Sequence, residues 1–184
     1  FRSLPTLHPR RYEAVALGSG FTCGLAPAGG VDCWGTNAQG QLGNQTTLTQ
    51  SSTPIGIAVR AIVDLTAGYA HACAARADGT VWCWGANTAG QLGNGTTVNS
   101  AAPVQVAAIA DAVAVEAGRE FTCALRRDGS VACWGAGTLG QLGNGTGTSS
   151  ATPVAVPNLT GVVGLSAAEA GYTMCATLAS GDVA

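Results

Sequence analysis

Residues 83–97 read CWGANTAGQLGNGTT, and near-copies stand on either side: CWGTNAQGQLGNQTT from Cys33 and CWGAGTLGQLGNGTG from Cys133. The step between copies is 50 residues, and it relates Trp34, Trp84 and Trp134, then Gly40, Gly90 and Gly140, then Asn44, Asn94 and Asn144. Upstream of each string it also relates Cys23, Cys73 and Cys123, Gly18, Gly68 and Gly118, and Val15, Leu65 and Val115. A fourth copy opens at TPVAVPNLTGVVGLSAA, where Val163 and Leu165 match Val113 and Val115, Ala168 takes the glycine's place, and two extra residues precede Cys175. A fixed period of this length marks a repeat architecture, here with units at 14–62, 63–112, 113–162 and a truncated 163–184. Six of the seven cysteines form C-x9-C pairs, and the partner of Cys175 would fall at position 185. The alternative for Cys175 is a free reactive thiol.

Each unit reads as β-structure. AVAVEAG (112–118) alternates, and FTCALRRDGSVACWG (121–135) has the form of a hairpin turning at Asp128-Gly129, as its neighbour turns at Asp78-Gly79. A three-residue loop with glycine in the left-handed region sets Cys123 opposite Cys133. Alternation then puts Val131 and Cys133 on one face and Ala132 and Trp134 on the other. Both faces are apolar, so the sheet must be covered on both sides. One 50-residue unit cannot do that alone, and several must stack, as blades of a propeller do.

CWGANTAGQLGNGTT, preceded by AGYAHACAARADGTVW, resembles the repeat of the regulator of chromosome condensation family, and the W-G-x4-G-Q-L-G-N core occurs three times. The resemblance runs from about Ala14 to Ala184. It implies an all-β propeller, usually of seven four-stranded blades, of which about three and a half are present. Such a segment is an incomplete ring, part of a larger assembly, or half of a ring that self-association with a second copy completes. The compact period and cysteine pairs are more similar to bacterial extracellular members than to the nuclear exchange factor.

Composition excludes several function classes. Hydrophobic residues make up 47% and charged residues 10%, with a net charge of −2. All eight basic residues are arginines, densest at Arg10-Arg11 and Arg126-Arg127, and no basic stripe suited to nucleic acid exists. No run of 18 apolar residues suggests a membrane span. The chain begins at Phe1 without a charged-then-apolar leader, as expected of a secreted protein after cleavage or of a region within a longer chain.

The candidate chemical groups divide in the same way. Zinc sites prefer two to four residues between paired ligands, so a spacing of nine fits them badly. Cross-strand disulfides Cys23–Cys33, Cys73–Cys83 and Cys123–Cys133 fit better and imply an oxidising compartment; the bland rival is six small buried hydrophobes. Trp34, Trp84 and Trp134 read as filling between blades, with a binding ladder as the alternative; Trp82, replaced by Asp32 and Ala132 elsewhere, reads as locally exposed. The glycine-rich run lacks the lysine and helix of a phosphate loop and reads as turns. Asn44, Asn94, Asn144 and Asn158 head Asn-x-Thr triplets, candidate glycan acceptors in a glycosylating secretory pathway. His8 and His71 are the only histidines, neither at an interpretable spacing from a nucleophile or carboxylate, and the acids are scattered. The expectation is a protein without catalytic residues, cofactor or metal.

The copies disagree in two places. Before the first cysteine they read SGFT, YAHA, REFT and EAGYTM; after the Asn-x-Thr turn they read LTQSSTP, VNSAAP and TSSATP. In a propeller such loops gather on one or two surfaces. Tyr69, His71, Arg119, Glu120, Phe121 and Tyr172 are the candidate partner contacts, as aromatic or charged anchors, with Phe21 and Phe121 alternatively plugging the blade edge. The function expected is a secreted or cell-surface scaffold that binds a protein partner through variable loops, inhibitor-like as in several bacterial relatives that the resemblance brings in. The alternatives are a structural or adhesive module and, less compatible with paired cysteines, a guanine-nucleotide exchange factor.

Overall fold

The computed structural model describes residues 10–45, 48–167 and 171–184. His8, Thr46 of the first glycan acceptor and Ala168 lie outside the described residues. The described chain is all-β, without a helix. Blade 1 contains β1 (Ala14–Gly18), β2 (Phe21–Leu25), β3 (Val31–Thr36) and β4 (Gln50–Gly56). Blade 2 contains β5 (Ile62–Ala67), β6 (His71–Arg76), β7 (Val81–Gly85) and β8 (Ser100–Gln105). Blade 3 contains β9 (Ala112–Ala117), β10 (Phe121–Arg126), β11 (Val131–Gly135) and β12 (Ser150–Ala155), and β13 (Val162–Ala167) with β14 (Met174–Leu178) begins a fourth. Within each sheet the strands run in sequence order and antiparallel. The first strands of successive blades, β1, β5, β9 and β13, pack side by side. The result is a β-propeller segment.

The hairpins show why the sequence turns where it does. Asp78 Oδ1 accepts from the Thr80 amide at 3.0 Å and hydroxyl at 2.6 Å, and Asp128 Oδ1 takes the same pair from Ser130 at 2.9 and 2.6 Å. Those turns set Cys73 opposite Cys83 and Cys123 opposite Cys133, a turn closed between Ala26 and Gly30 sets Cys23 opposite Cys33, and all three pairs are disulfides. Cys175 is exposed and unpaired with any cysteine.

The apolar core lies between the blades. Leu25, Val31 and the Cys23–Cys33 pair of blade 1 pack against Ala72, Ala74 and Trp84 of blade 2. Val81 and the Cys73–Cys83 pair pack in turn against Ala124, Ala132 and Trp134 of blade 3. Each blade therefore gives its cysteine face to the next blade's tryptophan face, the covering on both sides that the alternation demands. Trp84 and Trp134 are wholly buried. Trp84 Nε1 donates to the Gln41 carbonyl at 3.0 Å, and Trp134 Nε1 to the Gln91 carbonyl at 2.9 Å. A Cβ on Gly43 or Gly93 would stand 2.7 Å from the indole it faces, so only glycine seats the next blade's tryptophan. Asn37 and Asn87 brace the same loop: Asn87 Oδ1 accepts from the Leu92 amide at 2.9 Å, and its Nδ2 donates to the carbonyls of Thr96 and Val98 at 2.9 and 3.0 Å.

Trp34 has no earlier described blade to enter. Its ring stands 5.6 Å from that of Tyr12, whose hydroxyl donates to Asp32 at 3.1 Å, while Arg10 pairs with the same carboxylate. Residues 10–12 thus lie over the tryptophan face of blade 1. Trp82 is half-buried rather than free at the surface, and its Nε1 donates to Thr80 Oγ1 at 3.3 Å.

Candidate functional site

In an antiparallel meander the loop between a blade's first two strands and the loop between its last two emerge at the same end. Both variable segments of the repeat therefore gather on one surface. Its inner row is stitched through the backbone: the Ser19 amide donates to the Tyr69 carbonyl at 3.0 Å, Tyr69 to Arg119 at 3.2 Å, and Arg119 to Gly171 at 3.0 Å. This row aligns one side chain from each of three blades. The Arg119 guanidinium carbon lies 4.8 Å from the centre of the Tyr69 ring and 5.3 Å from that of Tyr172. Both tyrosines are exposed, at 41% and 44% of their surface. A cation over an aromatic face is an attractive contact, and Arg119 makes two of them.

Beneath the row lies a buried layer. Gly18, Gly68 and Gly118 leave room for Phe21, His71 and Phe121 respectively; a Cβ there would fall within 2.4 Å of the ring. His71 is fully buried, with Nε2 2.9 Å from Thr122 Oγ1 of the next blade. That hydroxyl donates to the Gln91 carbonyl at 3.1 Å, so it receives the proton on Nε2. Nδ1 then carries a lone pair with no donor. Burial alone pulls the imidazole down to about 4, so it is neutral at pH 7.

The first strands carry a second set of polar bonds between blades. Asp64 accepts from the Val115 amide at 2.8 Å, Thr66 Oγ1 from the Ala117 amide at 3.1 Å, and Glu116 from the Ala167 amide at 3.2 Å. Burial raises both carboxyl groups above the usual carboxylate range, opposed in each by the backbone bonds. Thr66 and Glu116 line a cavity of about 330 Å³ beside these strands. A larger one, about 450 Å³, lies between Gln141-Leu142-Gly143 and the half-blade, at the seam position that holds Trp84 and Trp134 in the two earlier seams. Among the described residues no three histidine, cysteine or acidic side chains come together as a metal would require.

The family model of the regulator of chromosome condensation (RCC1) repeat matches residues 28–75, 78–125 and 128–178. The chain belongs to this family. A second model of the same repeat matches 12–41, 62–91 and 112–141. A search of curated proteins finds no match. Among solved structures, the chain is similar to Prp20p from Saccharomyces cerevisiae, with a TM-score of 0.81 at 20% identity over 98% of this chain and 46% of that one. It is similar to human WBSCR16, with a TM-score of 0.77 at 22% identity over 92% of this chain and 45% of that one. The CRINKLY WD40 ectodomain of the Arabidopsis thaliana receptor kinase ACR4 follows with a TM-score of 0.56 at 23% identity, over 92% of this chain and 49% of that one. The chain spans less than half the length of each.

In this RCC1-repeat segment the six candidate contact residues separate into two groups. Tyr69, Arg119 and Tyr172 come together at the surface, with Glu120 half-buried beside them. His71 and Phe121 do not belong to the contact set, because both are wholly buried under the row and pack on Gly68 and Gly118. Asn94 and Asn144 each accept from the threonine two residues on, through hydroxyl contacts of 2.9 Å, so their triplets form turns. Asn158 is exposed in the left-handed region, at φ 60°. The Asp64 and Glu116 bonds were not foreseen, because each partner is a backbone amide 51 residues away.

Proposed function

We propose that this RCC1-repeat segment is a non-catalytic scaffold that binds a protein partner through the loop surface carrying Tyr69, Arg119 and Tyr172. The observation that carries the reading is the division of labour within the repeat. The residues common to the copies are consumed in seams, turns and disulfides, whereas the exposed aromatic and cationic residues of the inner row differ from blade to blade. Rigid aromatic anchors and arginine are the residue types that dominate protein interfaces. Prp20p, whose structure was described together with its binding to Gsp1p and histones, uses the same fold. The three disulfides favour an oxidising compartment and a secreted or cell-surface address. Another structure of similar fold is a receptor-kinase ectodomain.

The test is site-specific photocrosslinking. A photoreactive phenylalanine analogue replaces Tyr69 or Tyr172 in the native protein, or Arg127 at the opposite strand ends as control, exposed to the extracellular fluid of its own cells. The reading requires a discrete crosslinked partner from positions 69 and 172 and none from 127. Equal labelling from all three positions, or none, refutes it.

A further inference from the structure

We infer that Arg119 is a receptor for a single carboxylate presented by the protein partner, an assignment that rests on reading this loop surface as the binding face. Three observations converge on it. The first is geometric: the Arg119 guanidinium lies over the ring of Tyr69 from blade 2 and over that of Tyr172 from the half-blade, at 4.8 and 5.3 Å. A guanidinium held against two ring faces still offers a ligand the N–H groups at its planar edge. That edge is the fork that matches the two oxygens of a carboxylate.

The second observation is that the fork is unspent. Arg10, Arg76 and Arg126 each pair with an aspartate, and Arg60 donates to the carbonyls of Ile57 and Val59. Arg119 makes no salt bridge among the described residues, and its Nε, although buried, has no acceptor. The backbone bonds from Tyr69 to Arg119 and from Arg119 to Gly171 hold the three residues in line before any ligand arrives, so little ordering cost remains for the complex.

The third is charge. The stitched row offers Ser19, Tyr69, Arg119 and Gly171, with one cation among them, in a chain of net charge −2 without lysine. A polyanion such as nucleic acid needs several cations in register. One carboxylate needs one. The source is an aspartate or glutamate side chain, or a chain terminus, of the partner.

The experiment follows the Arg119 Nε–H resonance in the ¹⁵N-labelled native protein during titration with small probes. These are acetyl-Gly-Asp-Gly-amide, its Asn counterpart, acetyl-triglycine as the free acid, and inorganic phosphate. Saturable shifts with a carboxylate probe, and none with the Asn peptide, are expected. The stronger of the two acids identifies side chain or terminus as the source. Tyr69→Ala and Tyr172→Ala should each weaken the midpoint about fivefold, the worth of one cation–π contact. Arg119→Lys, which keeps the charge and loses the fork, should abolish the shift of the neighbouring Tyr69 and Tyr172 amides. No saturable shift, an equal shift with the Asn peptide, or tighter binding of phosphate than of either acid overturns the assignment. The two readings fail separately. If crosslinks from positions 69 and 172 persist undiminished in Arg119→Lys, the scaffold stands and the carboxylate receptor falls. If the acid titrates Arg119 but no partner crosslinks, the reverse holds.

Discussion

Acidification should destabilise this protein through one imidazole. His71 is fully buried, its Nε2 proton is committed to Thr122, and nothing faces Nδ1 that could stabilise a second proton. Its pKa is about 4 in the fold against 6.5 for the free side chain. Between those values the unfolded chain binds a proton that the folded chain refuses. Stability therefore falls as pH drops from 6.5, and the contribution is fully lost below 4. A displacement of this size corresponds to about 3 kcal/mol at 1.36 kcal/mol per pKa unit, a large part of a typical domain's stability. Asp64 and Glu116 act in the opposite sense, because their raised pKa values make the fold bind protons more readily than the unfolded chain does. The wild-type curve alone is thus a mixture, and the informative quantity is a difference. His71→Phe places at this site the residue that the other two blades carry, over the same small glycine. It removes the titrating group, leaves both acids in place, and frees no buried polar atom, since Thr122 keeps its bond to the Gln91 carbonyl. Urea denaturation followed by circular dichroism, with disulfides intact, should give similar stabilities for the two proteins at pH 7. The variant should lead by about 2–3 kcal/mol at pH 4.5. Parallel pH profiles, or an imidazole that titrates near its ordinary value by NMR, would refute the reasoning.

The other predictions concern the frame. Intact mass under non-reducing conditions should show six hydrogens fewer than the reduced chain, and Cys73→Ala/Cys83→Ala should lower stability by about 2–3 kcal/mol for so short a loop, read by the same denaturation. Trp134→Ala empties a fully buried seam and leaves the Gln91 carbonyl with only the Thr122 hydroxyl as donor; a loss of about 3–5 kcal/mol is expected, against a smaller one for the half-buried Trp34. Asn87→Ala removes the acceptor for Leu92 and the donor to two carbonyls. It should cost about 1–3 kcal/mol and speed hydrogen exchange at the Leu92 amide without altering that at Leu142.

What the sequence disclosed depends on whether a residue's partner repeats with it. The cysteine register, the tryptophan filling between blades and the glycine turns are legible because they recur at the same step of 50 residues, whereas the glycines' second role as seats for the rings they face is not. Tyr12 over Trp34 and the Asp64 and Glu116 bonds were not, since their partners are a residue outside the period or the backbone of the next blade. His71 and Phe121 show a subtler limit. Difference between copies reads as a mark of the surface, but a repeat also varies in its core where the neighbouring blade supplies the compensation, as Thr122 does for His71. In a single chain these two kinds of variation look alike. They separate by direction along the row: the residues at positions 69, 119 and 172 project side chains that meet one another across blades, whereas those at 71 and 121 turn inward onto glycines three residues upstream. The exposed anchors of the loop surface are therefore fewer than its variable residues, and they meet where Arg119 lies over the Tyr69 and Tyr172 rings.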